Sequence, residues 1–372
     1  MPLSRRTLLT GLTAATALPL LSCSPATALG DRAEADLSTP DGWLAWIAEH
    51  RDRLALVLTD TTGLRLEHRA ETPQPLASAV KAAHLAAYAT AVADGRLDPA
   101  ERIRVGDWER YYVPTDGGAH VAALQELGIP TDATGAWAAD PDRTVALEQL
   151  AGAMIAHSDS AVPDLIRDRL GTEAVRDAAL AGGWPDADVR SLCAEYLFLL
   201  LPAEAPAPGT PVARRREIGF ALERRHRDEQ DFRDQVRTRL LTQPLPDWDT
   251  QLTWSAGTAA SSPRQLAALH RSLADGSYPS PRAAEIARDV LERRDGLPEG
   301  VLGLGYKGGS LPGVLTAGIS LRFADGRIAA GSLLAHGGIS AEQLGNGDPG
   351  LPLLKAALDP AWQDRLRTAL HG

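Results

Sequence analysis

The chain has 372 residues, a formal net charge of −10 and a pI near 5.4. That acidity argues against nucleic acid or anionic lipid as a main partner. Hydrophobic residues at 44% and charged residues at 23% exclude a disordered chain, and the length fits two or three domains or one large two-lobed one.

Ser4-Arg5-Arg6-Thr7-Leu8-Leu9 is a charged head on an apolar stretch, Leu8 to Leu21, broken by Gly11 and Pro19. Fourteen residues are too few to span a bilayer, which needs about 20, but suit a signal-peptide core. The paired arginines resemble a twin-arginine export signal. Leu20-Leu21-Ser22-Cys23 resembles a lipobox that would leave Cys23 lipidated. Ala26-Thr27-Ala28 is an alternative cleavage site that would release a soluble protein. The lipobox reading is preferred, and residues 1–30 are set aside as signal and linker. The expectation is an exported protein, extracellular or in the cell envelope, touching membrane only through that anchor. With one cysteine in the signal, Cys193 forms no disulfide framework and reads as a small buried hydrophobe.

In the mature chain Asp41 to Arg53 reads as a short helix with Trp43, Trp46 and Ile47 on one side. Leu54 to Thr59 and Leu64 to His68 are strands joined at Asp60 to Gly63, a hairpin signal. Ala77 to Asp94 is a long alanine-rich helix closed by Gly95. Helical periodicity then dominates to about residue 250, with helices at Val145 to His157, Val162 to Leu170 and Glu173 to Ala181. Arg214 to Leu241 reads as one helix dense in both charge signs, a solvated face. Pro263 to Ala274 is a helix with proline in its first turn. Val301 to Lys307, Val314 to Phe323 and Arg327 to Leu334 are strands, and Leu353 to Leu358 and Trp362 to Leu370 closing helices. Strands at both ends around a helical middle predict an α+β fold, an antiparallel sheet built from both termini and flanked by helices. The domain would be 41–372, with an α/β lobe at about 41–76 and 250–372 and an inserted helical lobe at about 77–249.

No G-x-S-x-G elbow, P-loop or H-E-x-x-H is present, and the histidines lack metal-ligand spacing, so no metal and no cofactor is expected. Gly303 to Gly308 matches G-x-G-x-x-G literally, yet no helix follows it. Lysine occurs only at Lys81, Lys307 and Lys355, against 35 arginines. Ser78-Ala79-Val80-Lys81 puts a hydroxyl and an amine on one face of a helical turn. A buried lysine has a lowered pKa, so its neutral amine can take the serine proton. His157-Ser158-Asp159-Ser160 lies between two helices, and Tyr306-Lys307-Gly308-Gly309-Ser310 lies on a strand that stops at Pro312.

The order S-x-x-K, S-D-S, K-G-G resembles the S-x-x-K, S-D-N, K-T-G series of penicillin-binding proteins and class A β-lactamases. Pro75 to Val105, Ala153 to Gly171, Gly257 to Ser272 and Lys307 to Gly326 resemble further segments of that family. The resemblance implies a β-lactamase/DD-peptidase-like fold and acyl transfer through an acyl-enzyme. It makes Ser78 the nucleophile, Lys81 its base, Ser158 the proton relay to the leaving group, and Lys307 the group that anchors a carboxylate and tunes Ser158. The backbone N–H groups of Ser78 and Ser310 would form the oxyanion hole, and Ser160, Lys307, Gly308, Gly309 and Ser310 would bind substrate.

Two positions depart from the family: its asparagine is Ser160 here and its threonine Gly308. The best-placed candidate for the class A deacylating glutamate is Glu195, without the usual following residues, so fast β-lactam hydrolysis is not expected. The added length sits around Trp108 to Trp137 and Pro202 to Pro246. Trp108, Tyr111 and Tyr112 either flank the substrate or pin their loop to the helices. The reading is an exported serine hydrolase acting on an amide, ester or β-lactam. Its substrate is a small molecule, a peptide or an ester, with β-lactams and peptidoglycan fragments in range. The alternatives are a true β-lactamase and a non-catalytic cell-envelope binding protein.

Overall fold

The computed structural model describes residues 34–293 and 295–372. The export signal, both cleavage readings and Cys23 lie outside the described residues. Among the described residues no helix is long and apolar enough to cross a membrane.

The fold is α+β. Six antiparallel strands form the main sheet: β1 Leu54–Asp60, β2 Arg65–His68, β3 Glu292–Arg293, β4 Val301–Leu311, β5 Val314–Phe323 and β6 Ile328–His336. Their order is β2-β1-β6-β5-β4-β3, so the N-terminal hairpin joins the C-terminal meander through β1 and β6. β1 and β5 are buried along almost their whole length because helices cover both faces of the sheet. Pro40–Glu49, Leu351–Leu358 and Pro360–His371 cover one face, where Trp43, Trp46, Ile47, Leu353 and Trp362 close a core. Pro263–Asp275 packs across the other face, started by Ser262 and Gln265 in a capping box behind Pro263.

The helical segment is built around Lys81–Ala93. This helix is buried on nearly every side, and its alanines let neighbours approach closely all round. Ala77–Val80, read as its first turn, is a 3-10 turn. Val145 and Ala146, read as the start of a helix, belong to a strand, Thr144–Ala146, paired with Arg102–Arg104, and the helix begins at Leu147.

The expected single helix at 214–241 is two, Val212–Asp228 and Gln230–Thr242, broken at an extended Glu229. Nor is it merely a solvated face. Leu222 and His226 of the first helix and Phe232 and Val236 of the second are buried, and the break lets both close on Leu197 and Phe198. Arg225 lies 4.0 Å over the Phe232 ring across that bend.

Candidate active site

Ser78 stands in the 3-10 turn that runs straight into the Lys81–Ala93 helix. In such a turn residues i and i+3 eclipse, which aligns the hydroxyl with the amine. The turn is entered through Ala77 at φ +47°, a conformation unfavourable for a residue with a Cβ. Neighbouring bonds hold it there. The Leu76 N–H donates to the Ala259 carbonyl at 2.9 Å, and the Leu76 carbonyl accepts from Thr316 Oγ1 at 2.8 Å.

Lys81 Nζ lies 2.7 Å from Ser78 Oγ, 2.5 Å from the Ser158 carbonyl and 3.1 Å from Ser160 Oγ. Ser158 Oγ lies 3.4 Å from Lys81 Nζ and accepts from Lys307 Nζ at 2.8 Å. Lys307 also donates to the Gly308 carbonyl at 2.8 Å. Ser158 takes φ +70°, and its side chain lies between the two lysine nitrogens. Both lysines are buried, whereas Ser78 and Ser158 are partly open to solvent. Loss of water pulls the Lys81 amine down to about 8, against the opposing pull of Asp159, Asp116 and Asp164. Burial, reinforced by the Lys81 charge, holds Lys307 well below its ordinary value.

A buried network fixes the Ser158 loop from beneath. Asp159 Oδ1 accepts from Trp108 Nε1 and from the N–H groups of Ala161 and Val162, and Oδ2 lies 2.7 Å from His120 Nδ1. Burial alone would lower His120. Its bonds with Asp159 and Glu109 outweigh this and raise it to about 9, so the ring is an imidazolium at neutral pH. Burial likewise works against the Asp159 carboxylate, but His120 and the donors around it hold it below the ordinary range. Trp108, Tyr111 and Tyr112 are buried in this network and its core. Of the two readings of these aromatics, the structure selects pinning of the loop, because they have no free face toward Ser78.

β4 carries Lys307 to Ser310 along the Ser78 turn. A Cβ on Gly309 would come within 2.5 Å of the Ser78 nitrogen and 2.8 Å of the Ala79 nitrogen, so only glycine permits this approach. A Cβ on Gly308 would instead meet the Tyr306 hydroxyl at 2.6 Å. Where the resemblance leads one to expect a threonine hydroxyl, this chain has the Tyr306 phenol, which donates to Asp348 Oδ1 at 3.2 Å. Ser310 follows at the exposed end of the strand.

Glu195 borders the same cavity as Ser78, but its carboxylate is claimed by arginines. Oε1 accepts from Arg215 Nε at 3.0 Å and Arg190 Nη1 at 3.3 Å, and Oε2 from Arg215 Nη2 at 2.5 Å. The next residue, Tyr196, packs 5.7 Å from the Trp254 ring. Sequence reasoning missed Tyr196, Trp254, Arg190 and Arg215. Tyr196 had one pointer, its place beside Glu195. Arg215 and Trp254 had none, since nothing local marks a partner 20 or 59 residues away.

The constellation sets one hydroxyl against a neutralisable amine and a second hydroxyl between two amines. That arrangement is suited to serine-based acyl transfer. Several solved structures share the fold. A β-lactamase from Sphaerobacter thermophilus DSM 20745 is 16% identical with a TM-score of 0.51 over 88% of this chain and 94% of that one. One from Chitinophaga pinensis DSM 2588 is 12% identical with a TM-score of 0.54 over 86% and 99%. A class A β-lactamase described as that of the last common ancestor of Gram-negative bacteria is 18% identical with a TM-score of 0.52 over 86% and 99%. No curated protein matches the sequence. The sequence profile described as "Beta-lactamase enzyme family" matches residues 44–338, which is most of the chain, and this protein is a serine hydrolase that belongs to that family.

Proposed function

We propose that this hydrolase takes an acyl group from an amide, ester or β-lactam onto Ser78 and releases it slowly. The observation that carries the reading is Lys81 Nζ, buried and 2.7 Å from Ser78 Oγ. Neutral Lys81 accepts the hydroxyl proton as Oγ bonds to the substrate carbonyl carbon, and the oxyanion rests on the N–H groups of Ser78 and Ser310. The C–N or C–O bond then breaks as the leaving group takes the Ser158 proton, which the Lys81 ammonium replaces. Water later cleaves the acyl-Ser78 ester and restores the hydroxyl. Slow release follows from Glu195, whose two oxygens are engaged by Arg215 and Arg190 and are not free to activate that water.

We further propose that the protein is exported through its twin-arginine-type leader and anchored at Cys23, where peptidoglycan and β-lactams are met. The test of the catalytic reading is time-resolved intact-protein mass spectrometry with a penicillin, with Ser78→Ala as control. A lasting adduct absent from the control is expected. Rapid drug loss without an adduct would instead make the enzyme a true β-lactamase. Neither adduct nor drug loss, with esters also inert, would sink the catalytic reading.

A further inference from the structure

The cavity that opens beside Ser78 is walled by Val80, Leu192, Tyr196, Trp254, Ala259 and Leu311. Four polar side chains also reach its lining, and each is already bonded within the protein. Arg190 is spent on Asp188, Glu195 and the Gly257 carbonyl. Glu195 is spent on Arg190 and Arg215. Ser191 Oγ donates to Asp164 and caps the Ala194 N–H, and Thr258 Oγ1 donates to the Ser255 carbonyl at 2.8 Å. The Trp254 ring is fixed as well. Its Nε1 donates to the Glu195 carbonyl at 2.7 Å, and the Tyr196 ring packs 5.7 Å from it. What the cavity chiefly presents is hydrocarbon and ring surface next to the Ser78 hydroxyl.

We propose that this cavity receives the acyl part of the substrate, that this part is apolar, aromatic or branched aliphatic, and that Trp254 and Tyr196 select it. A polar or charged acyl group would lose water there without finding a partner, whereas an apolar group is held by contact alone. Tyr196 and Trp254 come from Leu192–Leu200 and Trp248–Ala256, the helices that flank the added Pro202 to Pro246 stretch. The inference rests on Ser78 being the acylated group, and its test separates the two.

The measurement compares p-nitrophenyl acetate with p-nitrophenyl phenylacetate, which share a leaving group and differ only in the acyl part. In the wild type kcat/KM is expected to favour phenylacetate by about 10-fold or more, the discrimination an apolar pocket reaches for added hydrocarbon. The preference is expected to fall below about 3-fold in Trp254→Ala. Leu311→Asn, which polarises the opposite wall at a partly exposed strand end, is the second variant and is expected to do the same. In parallel, saturation-transfer NMR on Ser78→Ala is expected to detect bound phenylacetamide but not acetamide, and to lose the signal when Trp254→Ala is added. A wild-type preference near one, a preference unchanged in both variants, or phenylacetamide that ignores Ser78→Ala would each overturn the inference. Phenylacetamide binding with no ester ever labelling Ser78 would overturn the catalytic reading alone and keep the apolar cavity.

Discussion

Lys81 Nζ sits 2.7 Å from Ser78 Oγ, with the Ser158 carbonyl and Ser160 Oγ as its other near contacts and Ser158 Oγ further off at 3.4 Å. An ammonium can donate to all three near groups. The neutral amine keeps two of these bonds and accepts the third from the Ser78 hydroxyl, so deprotonation turns a serine acceptor into a serine donor without moving a heavy atom.

That reversal sets a pH profile. Burial lowers Lys81 to about 8, so the fraction in the base form rises as pH rises through that value. Acylation by an activated ester is expected to increase toward alkaline pH with an apparent pKa near 8 in stopped-flow measurements. Lys81→Ala is expected to remove that inflection and slow acylation by about 10²- to 10⁴-fold. A flat profile in the wild type would contradict the assignment.

Ser158 is expected to matter in proportion to how poor the leaving group is. Its Oγ is 2.8 Å from Lys307 and 3.4 Å from Lys81, placed to pass a proton onward. An amine leaving group needs that proton and p-nitrophenolate does not. Ser158→Ala should therefore slow acylation by an amide or β-lactam about 10²- to 10⁴-fold, and by p-nitrophenyl esters far less. Equal losses for both substrates would make Ser158 a purely structural residue.

Two adjacent glycines should answer differently to the same added carbon. At Gly309 a Cβ would press on the backbone of Ser78, Ala79 and Leu76, none of which can turn aside. Gly309→Ala is expected to displace the nucleophile turn and to cost about 1–3 kcal/mol of stability along with most of the acylation rate. At Gly308 the obstacle is the hydroxyl and ring edge of Tyr306, a side chain rather than backbone, though one tied to Asp348. Gly308→Thr is expected to displace that side chain and to cost less stability than Gly309→Ala. Thermal unfolding of the two variants side by side decides the point.

Glu195→Gln tests whether that carboxylate serves stability or chemistry. Removing its charge leaves Arg215 and Arg190 facing each other in a site that is largely buried. Breaking such a pair from one side costs about 3–5 kcal/mol when burial is complete, and somewhat less is expected here because Arg215 is partly solvated. Denaturant unfolding should show that loss, while the decay of the acyl-enzyme should change by less than about 3-fold. A large slowing of decay at unchanged stability would restore Glu195 as the deacylating base.

The His120 and Asp159 pair predicts a stability window. His120 rises to about 9 in the folded protein, from an ordinary value of about 6.5 in the unfolded chain. A raised folded pKa contributes fully below the unfolded value and is lost as pH climbs through the folded one. The stability difference between wild type and His120→Gln should therefore be largest near pH 6.5 and shrink toward pH 9. A difference that stays constant over that range would show that packing, not charge, holds the loop.

Local spacing made part of this site legible in advance. Ser78 and Lys81 are three residues apart, and one helical turn forces them to meet. The Pro312-Gly313 turn and the sheet strands were visible as apolar runs with turn residues between them. Other features left no local trace. Glu229 carries no helix-breaking chemistry, and the chain bends there because Phe232 and Val236 have a core to enter. Trp108 and Tyr112 read as potential substrate contacts until their burial around His120 is seen.

The sequence by itself determined the kind of chemistry, since a serine, a lysine and two further motifs in that order carry it on any chain that brings them together. Its apolar runs and the turn residues between them also determined the antiparallel sheet, because strand propensity and turn chemistry act over a few residues. Only the tertiary structure decided how each group is used. Lys81 owes its lowered pKa to the loss of water around it, and Glu195 loses its freedom to Arg215, 20 residues further along. Burial and long-range ion pairing are properties of packed surfaces, and no local window of sequence contains them.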